Sequence, residues 1–233
     1  MSHTTTYFEL LDAFAQEGCP VCRLSLAAVH RFLEGINYEG VNDTGVRART
    51  RAAFGFCNRH SHQWLKLAHV LGTALIYKDV VADVTVSLRA LRYQRSGLRG
   101  NLPRLAARRD EDGAVAGLVP SGDCLACQRQ TEETRVLVAT LTDSLRQRDF
   151  QVAYAESPGV CLPHLREALR AAPTAAVFET LRDHAVSRQE QLASHLGEVA
   201  RKHDYRYSDE PLGEEREAAV RVVAHVAGAR GVR

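Results

Sequence analysis

Apolar residues recur every three or four positions through most of this chain, the period of a helix with one buried face. The stripe Phe8, Leu10, Leu11, Phe14 and Ala15 predicts a short helix over 7–16. Leu24, Leu26, Val29, Phe32, Leu33 and Ile36 predict another from Cys22 to about Asn37. After a polar break, Asn42 or Asp43 is placed to N-cap a helix over 46–54. Cys57 opens the next, with Trp64, Leu65 and Leu67 behind it. Gly72 is read as a break, and Ile76, Val80, Val84, Leu88 and Leu91 as the stripe of a long helix over 73–94. The β-branched residues in 80–86 would also suit a strand, but period and length favour helix.

The second half repeats this order. Helices are predicted over 127–147, over 150–155, from Cys161 onward, and over 175–202, where Arg188 and Gln189 interrupt the stripe and suggest a polar contact. A final amphipathic helix covers 214–227. No segment shows convincing strand alternation, so the expected fold is all-α.

Cysteine and histidine sharpen the repeat. Cys19-Pro20-Val21-Cys22 is followed by Cys57-Asn58-Arg59-His60, and Cys124-Leu125-Ala126-Cys127 by Cys161-Leu162-Pro163-His164. The separations are nearly equal, and all 6 cysteines are used. A Cys-x-x-Cys knuckle supplies two bonds to one ion. Cys and His three apart on a helix share a face. Three thiolates and one imidazole form a structural zinc set. The expectation is therefore two pseudo-repeated helical bundles, residues 1–95 and 124–233. Each would be stapled by its own Cys3His site: Cys19, Cys22, Cys57 and His60 in the first, Cys124, Cys127, Cys161 and His164 in the second. Two zinc ions per chain follow, each adding a net charge of about −1 with its three thiolates.

Rivals to zinc are an iron–sulfur cluster, which soft thiolates also suit, and dithiol chemistry. The βαβ setting of thioredoxin-type Cys-x-x-Cys is missing. A c-type haem is excluded because Arg23 and Gln128, not histidine, follow the second cysteines. Four protein ligands close a site, which argues for structure over catalysis.

Composition is that of an ordinary globular protein, 45% hydrophobic and 25% charged, with a formal charge of +2 that does not favour nucleic acid. The N-terminus has neither the basic nor the apolar region of a secretory signal, and no apolar run is long enough to span a bilayer. A cytoplasmic protein is expected. Residues 96–123, rich in Gly, Pro and Arg, read as a solvated linker. His30, His62, His69, His184, His195 and His225 read as surface or core histidines, and Asp79 with Asp83 as surface acids. Tyr38, Glu39, Asn42 and Asp43, together with His203, Asp204, Tyr205 and Arg206, form the candidate functional surface.

Gly-Cys-Pro-Val-Cys-Arg-Leu at 18–24, Tyr-Glu-Gly-Val-Asn-Asp at 38–43, Gly-Phe-Cys-Asn-Arg-His at 55–60, Gly-Val-Cys-Leu-Pro-His at 159–164 and Arg-Lys-His-Asp-Tyr-Arg-Tyr at 201–207 together resemble an uncharacterised bacterial family, domain of unknown function 6062. That resemblance implies no activity, but it marks the Tyr38 and His203 stretches as family features. The reading is a non-enzymatic zinc-binding adaptor or regulator with a protein partner. A metal or thiol-redox sensor is one alternative. An enzyme or small-ligand binder using a polar site between the repeats is the other.

Overall fold

The computed structural model describes residues 3–92, 115–207 and 209–232. Among them are ten α-helices and no strand. They are α1 (His3–Phe14), α2 (Pro20–Tyr38), α3 (Thr44–Ala52), α4 (Asn58–Leu67), α5 (Val70–Ala90), α6 (Leu125–Ser144), α7 (Arg148–Glu156), α8 (Leu162–Ala171), α9 (Ala175–Lys202) and α10 (Ala218–Ala227). The order long, short, short, long recurs. α2 to α5 hold 19, 9, 10 and 21 residues, and α6 to α9 hold 20, 9, 10 and 28.

Two compact units are present, but not as consecutive halves. One comprises residues 1–29 with 130–233, the other residues 30–129. α2 and α6 therefore each contribute residues to both.

The first unit has its core where α1, α6, α7, α8 and α9 bring their apolar stripes together. Leu10, Phe14, Leu137, Leu141, Leu145, Phe150, Leu165 and Leu181 pack there. Phe150 meets Tyr7 and Phe14 with ring centroids 5.1 Å apart in each case. Burying each such side chain contributes about 1.5–3 kcal/mol. Arg188, the interruption in the α9 stripe, donates to the carbonyls of Ala155 and Glu156 at the C-terminal end of α7, each at 3.4 Å. A cation is favoured at that end of a helix.

In the second unit Trp64 is fully buried against Phe56, its indole N–H donating to Thr73 Oγ1 at 3.1 Å. Gly72, expected as a break, lies inside α5. A Cβ there would stand 2.9 Å from Asn37 Oδ1 and 3.8 Å from the Trp64 ring, so the glycine serves close approach. The break falls at Ala68 and His69 instead. Asp43 N-caps α3, accepting from Val46 N–H at 2.7 Å. Asp79 and Asp83 are not free acids, because Arg47 and Arg51 of α3 pair with them and tie α3 to α5.

Most of the expected linker, with Arg99, Arg104, Arg108, Arg109 and the helical turn near 102–107, lies outside the described residues. Its last part, from Val115 on, is among the described residues. The Ser121 and Gly122 N–H groups both donate to the Ala52 carbonyl at 3.0 Å, at the end of α3.

The turn into each Cys-x-x-His helix is tightly built. After α3, Phe54 is left-handed (φ 55). Phe54 N–H bonds the Arg51 carbonyl and Gly55 N–H the Thr50 carbonyl, the paired pattern that closes a helix C-terminus. Gly55 is also left-handed (φ 89), and a Cβ on it would stand 2.3 Å from the Tyr77 ring. Gly159 (φ 77) does the same job before α8, facing His184 at 2.8 Å. Gly55→Ala is expected to cost about 1–3 kcal/mol through backbone strain, with additional cost from displacing Tyr77. Gly35→Ala, in the open interior of α2, should gain about 0.5–1 kcal/mol. Denaturant midpoints of the two variants should therefore move in opposite directions.

Candidate metal centres

Two groups of four donor atoms form, each with all atoms within 4.8 Å of one another. Their membership crosses the expected pairing. The first knuckle, Cys19 and Cys22, meets Cys161 and His164. The second knuckle, Cys124 and Cys127, meets Cys57 and His60. The eight residues expected as ligands are thus all present, but the two distant pairs are exchanged. Each cluster lies wholly inside one compact unit.

Local structure explains how each pair is aimed. Cys22 and Cys127 sit in the first turns of α2 and α6. Cys57 and Cys161 occupy the extended N-cap positions of α4 and α8, so the histidine three residues later lies one turn along, on the same side. Both histidines turn Nδ1 inward and are buried.

In the first cluster His164 Nδ1 lies 3.4 Å from Cys19 Sγ, 3.4 Å from Cys22 Sγ and 3.2 Å from Cys161 Sγ. Cys22 and Cys161 sulfurs are 3.5 Å apart. In the second, His60 Nδ1 lies 3.3 Å from Cys57, 3.6 Å from Cys124 and 3.4 Å from Cys127, with Cys57 and Cys127 sulfurs 3.6 Å apart. A tetrahedron with metal–sulfur bonds near 2.3 Å and a metal–nitrogen bond near 2.0 Å has edges of about 3.6–3.8 Å. These separations approach that and are far from the ~2.05 Å of a disulfide. All six cysteines are free.

Protons are held unevenly within each group. Burial opposes ionisation of Cys19, but hydrogen bonds from Cys161, Cys22 and His164 outweigh it and hold this thiol well below its ordinary range. The same bond with Cys19 pushes Cys161 well above it. His164 is raised to about 10, since hydrogen bonds with Cys19 and Cys22 overcome its burial. In the second group burial and the bond with Cys57 push Cys127 up to about 12. A bound cation would displace these protons, because its ligands must be thiolate and neutral imidazole.

Outer contacts are present at the first cluster. Cys22 N–H points to Cys19 Sγ and Ala229 N–H, from beyond α10, to Cys22 Sγ, each at 3.5 Å. Donors of this kind orient thiolates and offset their charge.

The other candidate residues fall in separate places. In the second unit, Tyr38 ends α2 and is 86% exposed. Glu39, Asn42 and Asp43 follow on the surface, Asp43 engaged as a cap. In the first unit, Tyr205 is also 86% exposed. Beside it Asp204 pairs with Arg206 at 2.7 Å, and His203 Nδ1 bonds the Val199 carbonyl at 2.8 Å. His30 pairs with Glu34, and His184 stacks on Tyr154. His195 and His225 were not singled out as site residues, yet both line a cavity of about 180 Å³ against Cys19 and Cys161. Lying on α9 and α10 with no shared periodicity, they carry no sequence signal of that meeting.

Fold and donors together define an all-α protein with two Cys3His-type candidate metal centres. The chain belongs to a family of unknown function (DUF6062), whose model matches residues 1–231. An uncharacterised 23.9 kDa protein in the xynA 3' region of Caldicellulosiruptor sp. (strain Rt8B.4) is 23% identical over 198 residues, covering 84% of this chain and 88% of that protein. No solved structure matches the chain. No helix among the described residues is long and apolar enough to cross a membrane.

Proposed function

We propose that both clusters hold zinc as closed structural centres, and that the chain is a non-enzymatic adaptor or regulator that presents a polar–aromatic surface to a protein partner. The carrying observation is that each cluster supplies four protein donors. Four donors saturate a tetrahedral ion and leave no position for water or substrate. Thiolate-rich centres of this kind suit a reducing cytoplasm. Tyr38 and Tyr205 support the binding role, since large aromatics amid polar groups are enriched where proteins meet. Glu39, Asn42 and Asp43 follow Tyr38 in one unit, and His203, Asp204 and Arg206 flank Tyr205 in the other. A formal charge of +2 offers little drive towards nucleic acid.

The test is affinity capture from the native host with the intact chain and with Tyr38→Ala and Tyr205→Ala, both far from any metal donor in sequence. A specific partner lost with either variant, while zinc content stays at about two per chain, supports the reading. A partner retained equally by both variants removes this surface from it. Iron with visible thiolate absorption would overturn zinc.

One observation favours a sensor as the second reading. Cys19, Cys57 and Cys124 are only half-buried, so each cluster offers a sulfur within reach of an oxidant. Release of zinc by mild peroxide is the result that reading requires.

A further inference from the structure

We propose that the cavity between α9, α10 and the Cys19–Cys161 side of the first cluster is a binding site for a small anion of carboxylate or phosphate type. Its lining brings together Arg188, Arg221, His195, His225 and Gln191, and includes no carboxylate. Two guanidinium groups in a concave space concentrate positive field, because the low-dielectric walls screen it less than open water does.

Neither arginine is neutralised by an acid among the described residues. Arg188 donates to the carbonyls of Ala155 and Glu156 and to Gln191 Oε1, and Arg221 to the Glu214 carbonyl. Carbonyls orient a guanidinium without cancelling its charge. Some arginines elsewhere on this unit are paired with acids, Arg135, Arg182, Arg201 and Arg206 each with a nearby Asp or Glu.

A second observation comes from His225. Its Nε2 is shielded from solvent and has no hydrogen-bond partner among the described residues. A buried polar atom left unmade costs roughly 1–3 kcal/mol, and a turn of the imidazole towards the cavity it lines would let a ligand atom offset that cost. The acids Glu17, Glu156 and Glu217 line the wider groove outside, not the inner cavity. An anion of modest size is therefore attracted inward and a bulky polyanion is repelled at the rim. The dimensions suit a few heavy atoms, and guanidinium forks match planar carboxylate and tetrahedral phosphate oxygens alike.

The alternative role for these arginines is to balance the net negative charge of a zinc–trithiolate centre with nothing bound. The proposal stands apart from the partner reading above, since it concerns one cavity of one unit. It is tested on the full zinc-loaded chain by titration calorimetry, with inorganic phosphate and succinate as separate probes. Ionic strength is held constant with chloride, and zinc content is measured before and after. Saturable binding of either probe is expected, and the better probe names the source. Arg221→Gln, an exposed side chain whose loss leaves the core untouched, should weaken that binding roughly tenfold or more, the scale of a charge-assisted contact. Arg135→Gln, elsewhere on the same unit, should leave it unchanged. No saturable binding by either probe overturns the proposal in favour of charge balance. Equal affinity in wild type and Arg221→Gln overturns it as well.

Discussion

Serine at both Cys19 and Cys161 is expected to leave about one zinc ion per chain, whereas serine at both Cys19 and Cys57 is expected to leave about none. In the proposed zinc centres each thiolate would belong to one tetrahedron. Replacing it removes a bond and a negative charge, and the three remaining donors lose to a competing chelator. Two replacements in one cluster spoil one site, while one in each cluster spoils both. Cys19 and Cys161 share a cluster, and Cys57 belongs to the other. If sites formed between consecutive segments, the two results would change places. Native mass spectrometry after brief chelator challenge reads the count directly. The single variants Cys19→Ser and Cys57→Ser, each expected to keep one ion, show that the rest of the chain still folds.

Removal of both ions should cost more stability than any core truncation. A buried leucine such as Leu141, cut to alanine, costs about 2–5 kcal/mol. Structural zinc contributes on the order of 10–16 kcal/mol at neutral pH in small metal-folded peptides, comparable with the whole ~5–15 kcal/mol of a typical domain. Chelation should therefore lower the melting temperature far more than Leu141→Ala does, and readdition of zinc should restore it. The pH dependence has a definite sign. The bound state needs three thiolates and a neutral histidine at each site, whereas unfolded thiols carry protons below about 8.5. Falling pH gives protons the advantage, so the zinc contribution is present at neutral pH and lost on acidification. The second cluster should release first. Cys57 and Cys124 are both half-buried there, against Cys19 alone in the first. Amide protection should disappear from α4 before α8 as chelator is raised, with mass spectrometry of deuterium uptake as the readout.

The helices were legible in the sequence because period-3.6 patterning reflects which face is buried, whatever it is buried against. α9 covers the expected 175–202. Gly72 misled because its signal is ambiguous. The same residue that ends a helix also permits close approach, and only the positions of Trp64 and Asn37 distinguish the two. The pairing of Asp79 and Asp83 was not legible because their partners, Arg47 and Arg51, stand on another helix 32 residues earlier.

The donor set was determined by the sequence alone: two knuckles, two cysteine–histidine turns, and no cysteine left over. Their grouping was not, because each knuckle offers two bonds and either cysteine–histidine pair completes four. Spacing is equally compatible with both arrangements. The choice is made by hydrophobic packing, which gathers α1, α6, α7, α8 and α9 around Leu137, Leu141 and Phe150 and so sets Cys161 and His164 beside Cys19 and Cys22. Coordination chemistry has no preference between two identical pairs of ligands. Burial of apolar surface supplies one, and only the folded chain reveals it.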